Sequence, residues 1–342
     1  MTIESPASQV LPLGDVRPTG WLRTQLELQA AGMAGHLDEF WPDIADSAWI
    51  GGAAEGWERA PYWLDALVPL AVLLDDERLL GKVARWIDYV VDHQASDGWM
   101  GPRRTDPSSH DPYDVWPRMV LLKVLLQHHS RFADDRVLQA ALRLSRRIDE
   151  VLAQWPLREW GRVRWADLVY SLDRLYELTG QTWLLDTAEQ VQKQGYDWSG
   201  YTPSRHKVTD EELQQFRATA GDVWMNDAYL STHGVNVAMG LKAFPIWSRR
   251  GEQRWARPAF DRLLAQLDEF HGQPTGLFSA DEHLAGTSPA QGTETCAVVE
   301  YLFSLATALE IWSPDEGLVE RWERIAFNAL PASARPDECG HQ

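Results

Sequence analysis

The 342-residue sequence contains only two cysteines, Cys296 and Cys339, so no disulfide framework holds it together. It is also short of basic residues: 32 Lys and Arg stand against 50 Asp and Glu, a net charge of -18. A field of that sign repels phosphate backbones and argues against a nucleic-acid partner. No unbroken run of 18 apolar residues occurs, so no membrane span is expected. The start, Met1-Thr-Ile-Glu-Ser-Pro, lacks the basic and apolar regions of a secretion signal, and the expectation is a cytoplasmic protein. Strand signals are weak and scattered, and no segment is of low complexity. What is present is an ordinary folding composition, 44% hydrophobic, sufficient for a sizeable core.

Tryptophan is the exception to that ordinariness, with eighteen copies. Many stand beside Pro, Gly or Asp: Trp41-Pro42, Gly98-Trp99, Trp116-Pro117, Asp197-Trp198 and Asp222-Val-Trp224. An indole carries a large apolar face and one donor that needs a partner, so it serves equally as core or as a platform for sugar C–H faces. Trp99 and Trp224, each on a polar loop, are the better candidates for sugar stacking.

Apolar segments alternate with amphipathic ones along the chain. Tyr62 to Leu74 is followed, after Asp75-Asp76-Glu77, by Leu79 to Val91; Val115 to His129 by Val137 to Leu152; Trp165 to Leu178 by Trp183 to Gln194. His233 to Trp247 is followed by Ala256 to Phe270, and Thr295 to Trp312 by Val319 to Leu330. In the second members the apolar residues recur at helical spacing, as in Leu79, Val83, Trp86, Ile87 and Val90. An Asp ahead of such a segment is a natural N-cap. Buried inner helices paired with half-exposed outer ones imply an all-α toroid, an (α/α)6 barrel, with long loops gathered at one end. The expected layout is an extended segment over 1–20, the barrel over 21–334 and a tail over 335–342.

Leu277 to Cys296 is the densest stretch chemically. Glu294 and Cys296 are two apart and can converge on one ion, and carboxylate plus thiolate suits zinc. Glu282, twelve residues earlier on a loop rich in Gly and Pro, is a candidate catalytic acid.

Several stretches together resemble glycoside hydrolase family 127, the β-L-arabinofuranosidase-like proteins. They are Pro12-Leu-Gly-Asp-Val-Arg17-Pro-Thr-Gly-Trp-Leu22, Tyr62-Trp-Leu-Asp65, His233-Gly-Val-Asn236 and Gly276 to Cys296. The resemblance runs from about Val10 to Ala334. It implies an (α/α)6 barrel, in the family followed by β-sandwich domains, and a retaining exo-glycosidase acting on a small carbohydrate. That chemistry uses a zinc-held cysteine as nucleophile and a glutamate as acid/base. Carried over, Glu282 corresponds to the acid/base, Glu294 and Cys296 to two zinc ligands, and His233 to a substrate-contacting residue. Tyr62, Asp65, Trp116 and Arg118 fall where barrel-mouth residues would face the sugar. The family's downstream Cys-Cys pair has no counterpart: Cys339, in Asp337-Glu-Cys-Gly-His-Gln342, does not match it. The zinc site and the barrel are therefore expected to be incomplete in this chain, and no nucleophile is assigned. The glycosidase activity is expected of a full-length form, with this chain by itself weak or inactive. Two other functions suit the same toroid: a metal-independent sugar hydratase or epimerase relying on Asp65 and His233, and a non-catalytic carbohydrate-binding protein.

Overall fold

The computed structural model describes residues 2–103, 113–220, 225–251 and 253–335. Helices α1 (Gly20–Ala31), α2 (Met33–Phe40) and the single turn α3 (Pro42–Ala45) lead into the repeating part. There follow α4 (Arg59–Leu74) and α5 (Glu77–Asp92), α6 (Trp116–Phe132) and α7 (Asp135–Leu152), and the short α8 (Glu159–Val163) before α9 (Trp165–Thr179) and α10 (Trp183–Gln194). A longer excursion carries α11 (Asp210–Ala218) and α12 (Asp227–Leu230). It returns through α13 (Gly234–Gly240), α14 (Ala243–Ser248) and α15 (Ala256–His271). A two-residue hairpin, β1 (Ala280–Asp281) and β2 (His283–Leu284), precedes α16 (Thr295–Trp312) and α17 (Glu316–Arg324).

The elements form the all-α toroid expected from the sequence. The inner helices α4, α6, α9, α13–α14 and α16 pack in that order around a lumen, each covered by its outer partner. The Tyr62 hydroxyl reaches Glu300 Oε1 at 3.4 Å and bridges α16 back to α4. Helix α1 packs against α4 and α2.

The turns between partners follow one recipe. The inner helix ends on a left-handed residue, Asp75 (φ 57°), Ala133 (φ 48°) or Gly180 (φ 67°). After the first two an aspartate then caps the outer helix: Asp76 accepts from the Leu79 N–H at 3.0 Å and Asp134 from Arg136 at 2.9 Å. Each outer helix presents one apolar face inward. In α5, Leu79, Val83, Trp86, Ile87 and Val90 are all buried, at about 1.5–3 kcal/mol per large aliphatic side chain.

Two inner helices depart from expectation. The segment His233 to Trp247 is broken at Leu241–Lys242 into α13 and α14, because Pro245 has no N–H to give the Leu241 carbonyl. Helix α16 is long and apolar enough, by length and composition, to cross a membrane (mean hydropathy 1.3), although no uncharged run of that length exists. In the toroid it is an inner helix and buries Glu300 and Glu310.

The end of the toroid opposite the long loops is laced by the N-terminal segment. Glu4 N–H donates to the Arg249 carbonyl at 2.8 Å, and Ser8 N–H to that of Glu310 at 3.0 Å. Leu13 N–H reaches the Ser130 hydroxyl at 3.3 Å, and Arg17 pairs with Asp75 at 3.5 Å. The segment thus crosses the C-terminal ends of α14, α16, α6 and α4 in turn.

Candidate functional site

Each short turn and long loop returns the chain to the same end, so all five inner helices begin there. The residue preceding each is Glu58 (α4), Val115 (α6), Arg164 (α9), His233 (α13) and Glu294 (α16). Four of these five carry a charged or hydrogen-bonding side chain. The helix N-termini add their positive dipole ends to the same place.

Arg164 organises the site. Its guanidinium lies over Trp116 and over Trp160, 4.4 Å from each ring centroid. Nε donates to Asn236 Oδ1 at 2.7 Å, and one terminal nitrogen reaches Glu58 at 3.4 Å. The Trp116 indole N–H also donates to Glu58. Trp160 in turn meets His233 edge-to-face at 5.3 Å, and Tyr62 stands 5.9 Å from Trp116.

The β1–β2 hairpin is stitched to the chain just before α13. Gly234 N–H donates to the Glu282 carbonyl at 2.6 Å and Leu284 N–H to Thr232 at 2.9 Å, which leaves His233 and His283 directly opposed. Glu282 occupies the tip with φ 61°, a backbone conformation that disfavours most side chains, and its carboxylate is exposed. A Cβ on Gly234 would lie 2.1 Å from that of Ala280. Gly234→Ala must push the hairpin away and is expected to cost about 1–3 kcal/mol. Urea denaturation checks it, and a variant as stable as the parent would contradict the packing described.

Glu294 and Cys296 do come together, with Sγ 3.3 Å from Oε1. Burial, with the nearby Glu282 carboxylate, raises the Glu294 pKa. The residue Cys296 opens to solvent, yet its thiol is crowded by protein atoms. That crowding, with the Glu294 carboxylate, pushes its pKa up to about 12. Such a thiol is protonated at neutral pH. Among the described residues no group of three or more His, Cys, Asp or Glu is placed to hold a metal ion. Two donors supply half of a tetrahedral zinc sphere, so these residues by themselves do not fit a zinc site. Cys339 lies outside the described residues.

Three buried atoms here have no hydrogen-bond partner among the described residues: His233 Nδ1, His283 Nε2 and Glu294 Oε2. Orphaned polar atoms are uncommon in interiors, and a group of them where the inner helices begin is a place for a polar molecule to find partners. Burial lowers the pKa of His233 to about 3 and of His283 to about 4. Both imidazoles are therefore neutral near pH 7, while an unfolded chain protonates them near 6.5. The unfolded state binds more protons as pH falls from about 6.5 to about 4, so both residues subtract stability through that window. His283→Gln is expected to flatten the pH dependence of thermal stability there. Parallel wild-type and variant curves would exclude this contribution.

Beneath the opening, the lumen holds charges. Lys242 is fully buried, with Nζ 2.7 Å from Asp167 and 2.9 Å from Glu300. Burial raises the Asp167 carboxyl; Glu300 is buried too, but Lys242 and Lys123 outweigh this and hold it below the ordinary range. Burial and Glu300 carry the Tyr62 phenol well above its usual value.

The remaining expected residues divide by position. Tyr62, Trp116, His233, Glu294 and Cys296 join the cluster around Arg164, with Glu282 at its rim. Asp65 lies one turn deeper in α4, its carboxylate held by Lys123 at 2.8 Å and Gln127 at 2.9 Å. Trp99 is 1% exposed and Arg118 2%. The Arg118 guanidinium lies 4.6 Å from the Trp99 ring centroid and 4.9 Å from that of Trp49. It donates to the carbonyls of Met100, Asp114 and Pro102. Trp99 and Arg118 are thus packed into the wall instead of facing the opening. Trp224 lies outside the described residues. Arg164, Glu58, Trp160, Asn236 and His283 were absent from the sequence-based set.

The profile of the β-L-arabinofuranosidase GH127 catalytic domain matches residues 44–341. Among solved structures the chain is similar to a GH127 β-L-arabinofuranosidase from Geobacillus stearothermophilus T6. They share 15% identity at a TM-score of 0.71, over 95% of this chain and 57% of that one. It is similar to a GH127 β-arabinofuranosidase at 14% identity and TM-score 0.69, over 98% and 55%. It is also similar to an unsaturated glucuronyl hydrolase variant from Streptococcus agalactiae at 11% identity and TM-score 0.59, over 100% and 88%. At these identities the likeness is one of fold. The chain spans little more than half the length of the two GH127 structures. No curated protein matches it.

Proposed function

The chain belongs to the GH127 family by its match to the family's catalytic domain, and from that premise we propose that it is the catalytic barrel of an exo-acting glycoside hydrolase for an uncharged pentofuranoside of the β-L-arabinofuranoside type. The observation that carries the reading is the group of orphaned polar atoms, His233 Nδ1, His283 Nε2 and Glu294 Oε2, beside the exposed Glu282 carboxylate. Neutral imidazoles and carboxylates suit hydroxyl-bearing ligands. The one buried guanidinium among them, Arg164, is already engaged by Glu58 and Asn236, and Asp281, Glu282 and Glu294 lie close enough to interact, which disfavours a sugar carboxylate.

In this mechanism Glu282 delivers a proton to the leaving-group oxygen as the glycosidic bond breaks. The oxygen of a water molecule ends bonded to the anomeric carbon, and the proton that water gives up restores the Glu282 carboxyl. The hairpin, hydrogen-bonded to Thr232 and Gly234, sets where that proton is offered. Trp160, half-buried and held by Arg164, offers the aromatic wall against which a sugar ring packs, and the buried Trp116 backs Arg164 from behind. Glu294 and Cys296 are the donors this stretch would offer to zinc, but the donor set is half of one, and no step is assigned to a metal or to a nucleophile.

The test is release of the aryl alcohol from an aryl β-L-arabinofuranoside, with the aryl β-D-glucuronide alongside. Slow hydrolysis of the arabinofuranoside, and none of the glucuronide, is the expected result. Saturable binding of L-arabinose with no turnover of either glycoside would instead make the chain a carbohydrate-binding protein.

A further inference from the structure

His283 plays no part in the proton transfer just described, yet its surroundings are unusually specific. The residue is 7% exposed, and its ring lies 5.3 Å from that of His233 and meets Tyr229 edge-on at 4.7 Å. Its Nδ1 is 2.9 Å from Thr232 Oγ1. The Thr232 hydroxyl has one proton, and it is spent on the Tyr229 carbonyl at 2.9 Å. Thr232 can therefore only accept from the imidazole, which places the ring proton on Nδ1. Nε2 is left as a bare lone pair, buried and without a partner among the described residues.

The backbone adds direction to this chemistry. His233 and His283 form the non-hydrogen-bonded position of an antiparallel bridge, flanked by the Gly234–Glu282 and Leu284–Thr232 hydrogen bonds. At such a position the two side chains stand on the same face and close together. His283 therefore shares the face of His233, whose ring meets the Trp160 wall, and it directly follows Glu282 in the chain.

We propose that His283 is a sugar-recognition residue, its Nε2 accepting a hydrogen bond from one hydroxyl of the glycone whose bond Glu282 protonates. The inference rests on the glycosidase reading and adds to it a fixed acceptor. The relay from Tyr229 through Thr232 prevents the ring from turning into a donor, so an ether or a deoxy carbon at that sugar position forfeits the contact. A site that requires a hydroxyl donor rejects the analogue lacking it far more strongly than an apolar pocket rejects an extra group.

The experiment uses the full chain labelled with ¹⁵N-histidine, titrated with methyl β-L-arabinofuranoside and with its monodeoxy analogues. The His283 signals are assigned by their loss in His283→Gln. Without ligand, Nε2 is expected to resonate as an unprotonated imidazole nitrogen, and the parent sugar is expected to shift it. One deoxy analogue should bind at least tenfold more weakly and leave it unmoved. His283→Asn keeps a donor for Thr232 but offers no acceptor at the Nε2 position, and should bind the parent sugar no better than that analogue. His283→Gln restores an acceptor and should recover most of the affinity. A proton on Nε2, or sugar binding that leaves His283 unmoved and His283→Asn unimpaired, overturns the proposal even if the arabinofuranoside is hydrolysed. The expected His283 response in a chain that hydrolyses nothing would sustain recognition and remove the glycosidase reading.

Discussion

Replacing Lys242 with methionine is expected to destabilise the protein by about 3–5 kcal/mol at pH 7. The side chain is completely enclosed and is the hydrogen-bond donor to both Asp167 and Glu300. Removing it leaves two carboxylates facing one another in the lumen with Lys123 as the neighbouring cation. Methionine fills the volume, so the loss reports the uncompensated charge and not a cavity. The deficit should shrink on acidification, because protonated carboxyls need no cation. Lys242→Met combined with Glu300→Gln should recover part of it at pH 7. Urea denaturation at pH 7 and pH 5 measures both effects; a variant within 1 kcal/mol of the parent at pH 7 would mean that the lumen is better hydrated than the packing indicates.

The second large effect concerns catalysis. Glu282→Gln keeps the shape and hydrogen-bonding reach of the side chain but removes the proton it would transfer. Under the proposed mechanism kcat falls about 10²–10⁴-fold for an alkyl β-L-arabinofuranoside. A dinitrophenyl glycoside, whose leaving group needs no protonation, should suffer much less. It is this contrast that identifies an acid. Equal losses on both substrates would instead assign Glu282 a binding role, and undiminished turnover of the alkyl glycoside would remove it from the mechanism.

The helical frame was legible in the sequence because each inner–outer pair obeys local rules. The Asp76 and Asp134 caps, the left-handed turn residues and the α5 stripe all follow from nearest neighbours. The break at Leu241–Lys242 could also have been read from Pro245. The site was only half legible. Glu282, Glu294, Cys296 and His233 stood out through loop chemistry and family likeness, whereas Arg164 and Glu58 looked like ordinary charges on a polar stretch. Their signal was positional: each immediately precedes an apolar inner helix, and in a toroid all such positions meet at one end. Trp99 and Arg118 misled in the opposite way. A tryptophan beside glycine and an arginine at a helix start both suggest an exposed role, but each satisfies the other's packing needs within the wall.

The N-terminal lacing at the far end of the toroid has a consequence for traffic. With Glu4, Ser8, Leu13 and Arg17 drawn across the helix ends, the described residues make the ring a cup covered at that end. For a glycosidase of this shape, whatever is cut off departs by the route through which the intact glycoside arrived. Only the terminus of a glycan chain can dip into such a vessel, and the freed monosaccharide must vacate it before the next terminus enters. Free L-arabinose should accordingly act as a competitive inhibitor, raising KM and leaving kcat untouched. Clipping the first dozen residues should loosen the base of the cup before it disturbs the rim.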